Sequence, residues 1–358
     1  MAKDGRRVTL QDIAKRSGYS ITTVSRSLRG KRDINPETAA RIRNMAQEMG
    51  YVADETALSL RYGRTNLISV ILVDMTNPFY SIMTQRLQLA AEKLGYSLVI
   101  SCDMGNPKLE QQSVERAIAR GADGVILFPT DESAPAIARL KSIGMPFVLM
   151  ASYLKQGDAD AVVADDEQGA YLATMHLIEK GKRRLAYLSS SDTVTSGALH
   201  KAGFLRACDQ AGIPEADRCL YTTSYHKITP VDQPSWHEEL SGKLLELKRE
   251  GFNGFFVFCD IEAWHVIDMM TKTGAFNDVD FGIAAFDNID GALFSPIPLC
   301  TIDSDSTEMA RCAMELLHAR IEGQDFPPQT IVRPVRLVCR GSCQTHGIKG
   351  TIQFSMED

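Results

Sequence analysis

The chain has 358 residues, 44% of them hydrophobic, a length beyond one ordinary core that predicts two or three domains. No run of about eighteen apolar residues occurs, and the start MAKDGRRVTLQD has no apolar segment followed by a cleavage site, so no helical membrane span and a cytoplasmic protein are expected. The net charge of -6 conceals a split: residues 1–64 hold 13 Lys and Arg against 7 Asp and Glu, a net +6, and the remainder holds 26 against 38, a net -12. A basic head on an acidic body favours a nucleic-acid partner for the head, because Lys and Arg that neutralise phosphates supply most non-specific affinity.

In chain order, Thr9 followed by Asp12 predicts a capping box, and Leu10, Ile13 and Ala14 form the apolar stripe of a first helix running to about Ser17. Gly18 turns the chain into a second helix over 22–30, capped by Ser20. Val24 and Leu28 lie four apart on its inward face, while Thr22, Thr23, Ser25, Arg26 and Arg29 point elsewhere with hydrogen-bonding tips. Taken alone, this segment fits a solvated helix of any small bundle as well as it fits a DNA groove. Asn35-Pro36-Glu37 then supplies a cap, a proline at the first helical position and an acid at the positive helix end, and Ile42, Met45 and Met49 carry a third helix to Gly50. Three short helices, the second entered by a tight turn, make a complete helix-turn-helix unit.

From Leu67 onward, apolar runs of strand length alternate with helix-length segments. Strands are expected at 67–74, 97–103, 124–130, 146–152, 161–165, 184–190, 255–260 and 281–287. Such alternation predicts parallel sheets covered by helices on both faces, with ligands at the carboxyl ends of the strands. The polar residues there, Asp74, Asp103, Ser152, Asp165, Asp260 and Asp287, mark a cleft, although a carboxylate at a strand end is as often a helix cap. No GxGxxG follows a strand, and neither a phosphate-loop lysine motif nor a Gly-x-Ser-x-Gly elbow occurs, so an enzyme is not expected. The eight cysteines form no CxxC pair and the seven histidines no HxxxH spacing. They read as buried reduced thiols rather than disulfides or zinc ligands; no metal and no cofactor are expected.

The run VTLQDIAKRSGYSITTVSRSLRGKRDINPETAARIRNMAQEMGY closely resembles the N-terminal domain of the LacI/GalR (lactose-repressor) family of bacterial transcription regulators. The likeness continues through the linker, through NPFY after the first body strand and on to FDN near residue 287. It implies a helix-turn-helix domain over 1–50, a hinge helix over 51–65, and an effector-binding and dimerisation domain over 66–344. The body would be periplasmic-binding-protein-like, with one subdomain at about 66–164 plus 305–328 and another at 165–304 plus 329–344, followed by a tail at 345–358. That tail has no leucine heptads, so the tetramer-forming coiled coil of some relatives is not expected.

The family pattern puts Ile21, Thr22 and Arg26 at base edges, Arg26 above all, since its planar fork matches the two acceptors of guanine in the major groove. Thr9, Leu10, Ser20, Thr23, Ser25, Asn35 and Tyr51 fall where relatives contact phosphate. Leu60, with Ala57 on the same face, would wedge into the minor groove at the centre of the site and kink the duplex. Ala53 and Asp54 replace the family's usual Pro-Asn, and Asp54 with Glu55 brings negative charge near phosphates, which puts that backbone contact in doubt. In the cleft the resemblance points to Phe79, Asp103, Ala151, His200, Cys259, Asp260 and Asp287. Phe79 would stack on a ring and Asp287 would bind hydroxyls, whereas Ala151, Cys259 and His200 stand where sugar-binding members often have Asp, Asn and Arg. Each change removes a strong polar contact, so a sugar in an arginine clamp is less expected here; His200 either meets an anion or fills space. The stretch 226–242 is longer than usual and, with Trp236, reads as a surface loop. The function implied is a homodimeric repressor of a near-palindromic operator on double-stranded DNA, controlled by a small-molecule effector, a sugar or related metabolite. A transporter's solute-binding protein shares the body fold but would need a signal peptide and would lack the basic head.

Overall fold

A computed structural model describes residues 8–30, 33–51, 64–130, 135–153, 158–189, 195–223, 234–274, 276–277, 279–294 and 297–346. The chain divides into two compact units, Met1–Thr65 and Asn66–Asp358. Ala57 and Leu60, the residues expected to form the hinge wedge, lie outside the described residues, as do Asp54, residues 226–233 and the tail beyond 346.

The first unit holds α1 (Leu10–Ser17), α2 (Ile21–Leu28) and α3 (Pro36–Glu48). Each starts where its side chains can satisfy the backbone N–H groups that a helix leaves unbonded. Thr9 and Asp12 form the reciprocal box, Ser20 accepts from the Thr23 N–H, and Asn35 accepts from Glu37 and Thr38 ahead of Pro36. Gly18 closes α1 at φ 76°, a left-handed conformation that costs a residue without Cβ little and turns the chain sharply into α2. One fully buried residue from each helix, Ile13, Val24 and Ile42, meets at the centre, with Leu10, Leu28, Met49 and Tyr51 packed around them. This small core leaves the opposite faces of α2 to solvent.

The second unit contains two sheets. The first has the order β11-β5-β4-β3-β1-β2, from β1 (Leu67–Leu72), β2 (Ser97–Cys102), β3 (Gly124–Leu127), β4 (Phe147–Met150), β5 (Ala161–Ala164) and β11 (Thr330–Arg333), all parallel. The second runs β12-β10-β9-β8-β6-β7, from β6 (Leu185–Ser189), β7 (Arg218–Thr222), β8 (Gly254–Val257), β9 (Asp280–Phe286), β10 (Cys300–Asp303) and β12 (Arg336–Val338). Among the described residues, only β12, against β10, and β13 (Thr345–His346), against β9, are antiparallel. Central strands are buried along their whole length, β3, β5 and β8 without a break, as sheets covered on both faces require.

Helices α4 (Pro78–Lys93), α5 (Pro107–Ala119) and α6 (Pro135–Ser142) follow strands of the first sheet, and α7 (Asp166–Glu179), α8 (Thr195–Gln210), α9 (Pro234–Arg249), α10 (Asp260–Lys272) and the short α11 (Gly291–Phe294) serve the second. The chain then returns: α12 (Ser306–Ile321) packs on α4 and on the first sheet. Here the structure departs from the expected boundary. β11 adds to the first sheet beside β5, so residues 330–333 belong with the first subdomain, and the final crossing falls between Arg333 and Arg336 rather than at 329. The cause is local: TIVR is a half-exposed edge strand without an apolar run, which leaves no strand signal in the sequence. The edge strand RCLYT escaped notice for the same reason, and the buried CTID because its four residues hold no apolar run.

Candidate functional site

On the first unit, Ile21 and Thr22 open α2 on its exposed side, and Ile21 is 45% exposed although apolar. Arg26 follows one turn later, its guanidinium paired with the Asp33 carboxylate. Reading a guanine therefore requires exchanging Asp33 for two base acceptors. Both partners of this pair are about half exposed, where an ion pair is worth little, so the exchange is cheap. Ser25 is engaged by Arg29, whose Nε and Nη donate to the Ser25 carbonyl at 2.9 Å and its hydroxyl at 2.7 Å. Of the expected phosphate contacts, Thr9, Ser20 and Asn35 all turn out to be helix caps, and Thr23 shares a 2.9 Å hydroxyl contact with Ser20. Leu10 and Tyr51 send their side chains into the small core, which leaves Leu10 only its backbone N–H at the first helical position for an anion.

On the second unit, a cavity of about 300 Å³ opens between the two sheets at the carboxyl ends of β1, β3, β4, β5, β8, β9 and β10. Phe79, Ala151, His200, Cys259 and Asp287 all line it. Asp103 and Asp260 do not. Asp103 is fully buried and its carboxylate accepts the Gly105 N–H at 2.8 Å. Asp260 is likewise buried and accepts the Ile289 N–H at 3.0 Å; burial pushes its carboxyl up to about 7 despite that bond and a Thr301 hydroxyl. Strand-end carboxylates here satisfy the backbone of the following loop, so these two leave the expected effector set.

Sequence reasoning missed much of the wall. Phe79, Tyr80 and Phe128 pack edge to face with centroids 5.2 to 6.4 Å apart. Across the cavity His200, only 3% exposed, stacks on Phe286 at 4.5 Å and lies 5.1 Å from Phe258, with Nε2 3.6 Å from the Asp166 carboxylate. The signal was present in Tyr80 of NPFY, in the Phe preceding Cys259 and in the Phe preceding Asp287, each one residue from a position already marked, whereas Phe128 had no such neighbour. Asp287 has φ 108° and neighbouring Asn288 49°, while Ala151 across the cleft has 59°. Three residues with side chains in left-handed backbone at one rim is the clustering expected of a binding site, since each costs on the order of 1 kcal/mol or more unless the surroundings hold it. Burial, followed by the nearby Asp260, Asp166 and Glu262, holds the Asp287 carboxyl well above its usual range. Among the described residues, four carboxyl groups line the cavity, those of Asp74, Asp166, Glu262 and Asp287, and no Lys or Arg does.

A helix-turn-helix unit and a two-subdomain body with a ligand-sized cleft define a DNA-binding transcriptional regulator with a ligand-binding domain. Known proteins agree. Residues 9–54 match the model of bacterial regulatory proteins of the lacI family, residues 65–229 that of periplasmic binding proteins and sugar binding domains of the LacI family, and residues 174–343 a periplasmic binding protein-like domain. The transcriptional regulator DegA of Bacillus subtilis is 29% identical over 94% of this chain and 98% of its own. The transcriptional repressor PurR of Mannheimia succiniciproducens is 26% identical over 93% and 98%. Among solved structures, the lac repressor dimer bound to operator and an anti-inducer superposes with a TM-score of 0.80 at 21% identity, over 95% of this chain and all of that one. A LacI-family regulator from Enterococcus faecium with bound ribose is 26% identical at a TM-score of 0.66, over 77% and 98%. The chain thus carries a LacI-family helix-turn-helix domain followed by a periplasmic-binding-protein-like body, and the relatives it matches are transcriptional regulators, not enzymes.

Proposed function

We propose that the protein is a cytoplasmic repressor that grips a near-palindromic operator as a homodimer and responds to a small neutral or cationic ring compound held in the cleft. One short recognition helix is too little for a specific site, and two-fold symmetry supplies the second. The observation that carries the effector class is the lining formed by the described residues: aromatic rings on both sides, four carboxyl groups and, among those residues, no Lys or Arg. An anionic sugar acid or phosphate would meet repulsion without a counter-charge, whereas a ring gains stacking, and a cation gains attraction to ring faces as well. A small sugar is the second reading, because the Enterococcus faecium regulator holds ribose. Phe79 and Tyr80 come from the first subdomain and His200 and Asp287 from the second, so a ligand touching both sets favours one subdomain placement over another, and only that differential affinity shifts DNA binding. Thermal-shift screening with neutral, cationic and anionic ring compounds beside simple sugars tests the class, since a ligand of the folded state raises the melting temperature by mass action. Stabilisation by anions alone would refute it.

At the DNA end, Ile21, Thr22 and Arg26 contact base edges, and Thr9, Leu10, Ser20, Thr23, Ser25, Asn35 and Tyr51 hold phosphates, with Leu60 and Ala57 as the minor-groove wedge. With an operator selected from random duplexes, Arg26→Ala is expected to lose about 1–3 kcal/mol of binding and to relax preference at one symmetric base pair. Fluorescence anisotropy on single-base operator variants reads this directly; an equal loss on every duplex would place Arg26 on phosphate instead. At the cleft, Asp287→Ala is expected to leave ligand-free operator affinity within about twofold while weakening the effector by roughly 1–3 kcal/mol, the cost of a lost buried hydrogen bond. Titration calorimetry with the effector from the screen decides; wild-type affinity would move the effector out of this cleft.

A further inference from the structure

Four side chains that play no part in DNA or effector binding converge in the second subdomain. His176 on α7, Cys300 at the start of β10, Cys339 just beyond β12 and Cys343 place one nitrogen and three sulfurs all within 4.8 Å of one another. His176, Cys300 and the Cys339–Cys343 pair are far apart in sequence, and the antiparallel pairing of β10 with β12, Thr301 opposite Val338, is what sets Cys300 beside Cys339. The Cys300 and Cys339 sulfurs are 3.5 Å apart, and those of Cys339 and Cys343 3.7 Å. A tetrahedral zinc ion with sulfur ligands about 2.3 Å away sets neighbouring ligand atoms roughly 3.5–3.8 Å from each other, so these separations suit a shared ion and exceed any covalent S–S bond.

From this cluster we infer that the chain carries a structural zinc site of the three-cysteine, one-histidine kind, formed by His176, Cys300, Cys339 and Cys343. The donor set is the soft thiolate and imidazole combination that zinc takes in closed tetrahedral sites. Its surroundings are already held in place. The Arg340 backbone N–H donates to the Cys300 sulfur at 3.3 Å, the Cys300 N–H donates to the Ser342 hydroxyl at 2.7 Å, and that hydroxyl donates to the Ile283 carbonyl at 2.6 Å. Bonds of this type orient thiolate ligands from behind. The Nε2 atom of His176 is sealed from solvent and bonds to no oxygen or nitrogen among the described residues, so the cysteine sulfurs, or an ion between them, are what it can meet. Cys300 stands at the amino end of its strand, whereas the cleft lies at the carboxyl ends, so the ion would fasten the returning segment 336–346 to the second sheet rather than touch the effector.

The test uses the full chain, purified reduced and without chelator. Elemental analysis is expected to find about one zinc per chain, and cobalt exchange to give the visible bands of a tetrahedral thiolate site. Cys339→Ser is the variant of choice because Cys339 is exposed and its loss leaves the core intact. It is expected to lower zinc affinity at least tenfold in a chelator competition, with an unchanged circular dichroism spectrum, while Cys102→Ser, outside the cluster, binds as wild type. Zinc well below one per chain after reconstitution, wild-type affinity in Cys339→Ser, or a disulfide among Cys300, Cys339 and Cys343 in the reduced preparation would each overturn the assignment.

Discussion

Raising salt from about 50 mM to about 200 mM is expected to weaken operator binding by roughly 10³- to 10⁵-fold, the loss that accompanies some 6–10 phosphate contacts. The head carries a net +6 over residues 1–64, and its first two helices begin with backbone N–H groups beside Thr9 and Ser20 that can meet phosphate. In a symmetric dimer every such contact occurs twice. Binding then releases many condensed counterions, and added salt opposes that release. Anisotropy titrations on operator and random duplexes across that salt range give the slope of log affinity against log salt. A nearly flat slope on the operator would mean that the head reads bases without holding phosphates, contrary to the assignment of those caps.

Gly203→Ala is expected to destabilise the body by about 3 kcal/mol and to lower its melting temperature by roughly 6–12 °C. Helices α7 and α8 pack most closely at this residue. A Cβ on Gly203 would stand 2.1 Å from the Glu167 carbonyl oxygen, 2.8 Å from the Ala170 Cβ and 2.9 Å from the Tyr171 nitrogen, all on α7. Two of these are backbone atoms, which cannot swing aside, so the helices must separate and the buried Phe204 must lose contacts. His200 lies one turn earlier on α8, so the same displacement should loosen its stacking on Phe286 and weaken the effector too. Calorimetric melting of the variant without ligand checks the first effect. A melting temperature within a degree or two of wild type would show that the two helices are not so closely packed.

The periodic parts of this chain could be read without coordinates. The capping signals at Thr9, Ser20 and Asn35 and the apolar spacings of Ile13, Val24 and Ile42 are local, and the helices formed where those residues implied. The long apolar runs likewise became buried parallel strands, since a strand covered on both faces must be apolar throughout. What escaped was set by neighbours distant in sequence. TIVR is a strand only because the edge of β5 stands open beside it, and that edge moves the last subdomain crossing to residues 333–336. Asp103 and Asp260 look like cleft residues from their strand-end positions, but loop N–H groups claim their carboxylates; Phe286 and His200 meet only because α8 packs against the second sheet. Of the cysteines only Cys339 and Cys343, in CRGSC, have a metal-ligand spacing, and a search for CxxC passes over it; the pairing of β10 with β12 brings Cys300 to that pair beside His176. Motif spacing records ligands carried on one helix or loop; a set assembled from three segments leaves only half such a trace, because the rest of its geometry comes from the sheet and not from the chain between the residues.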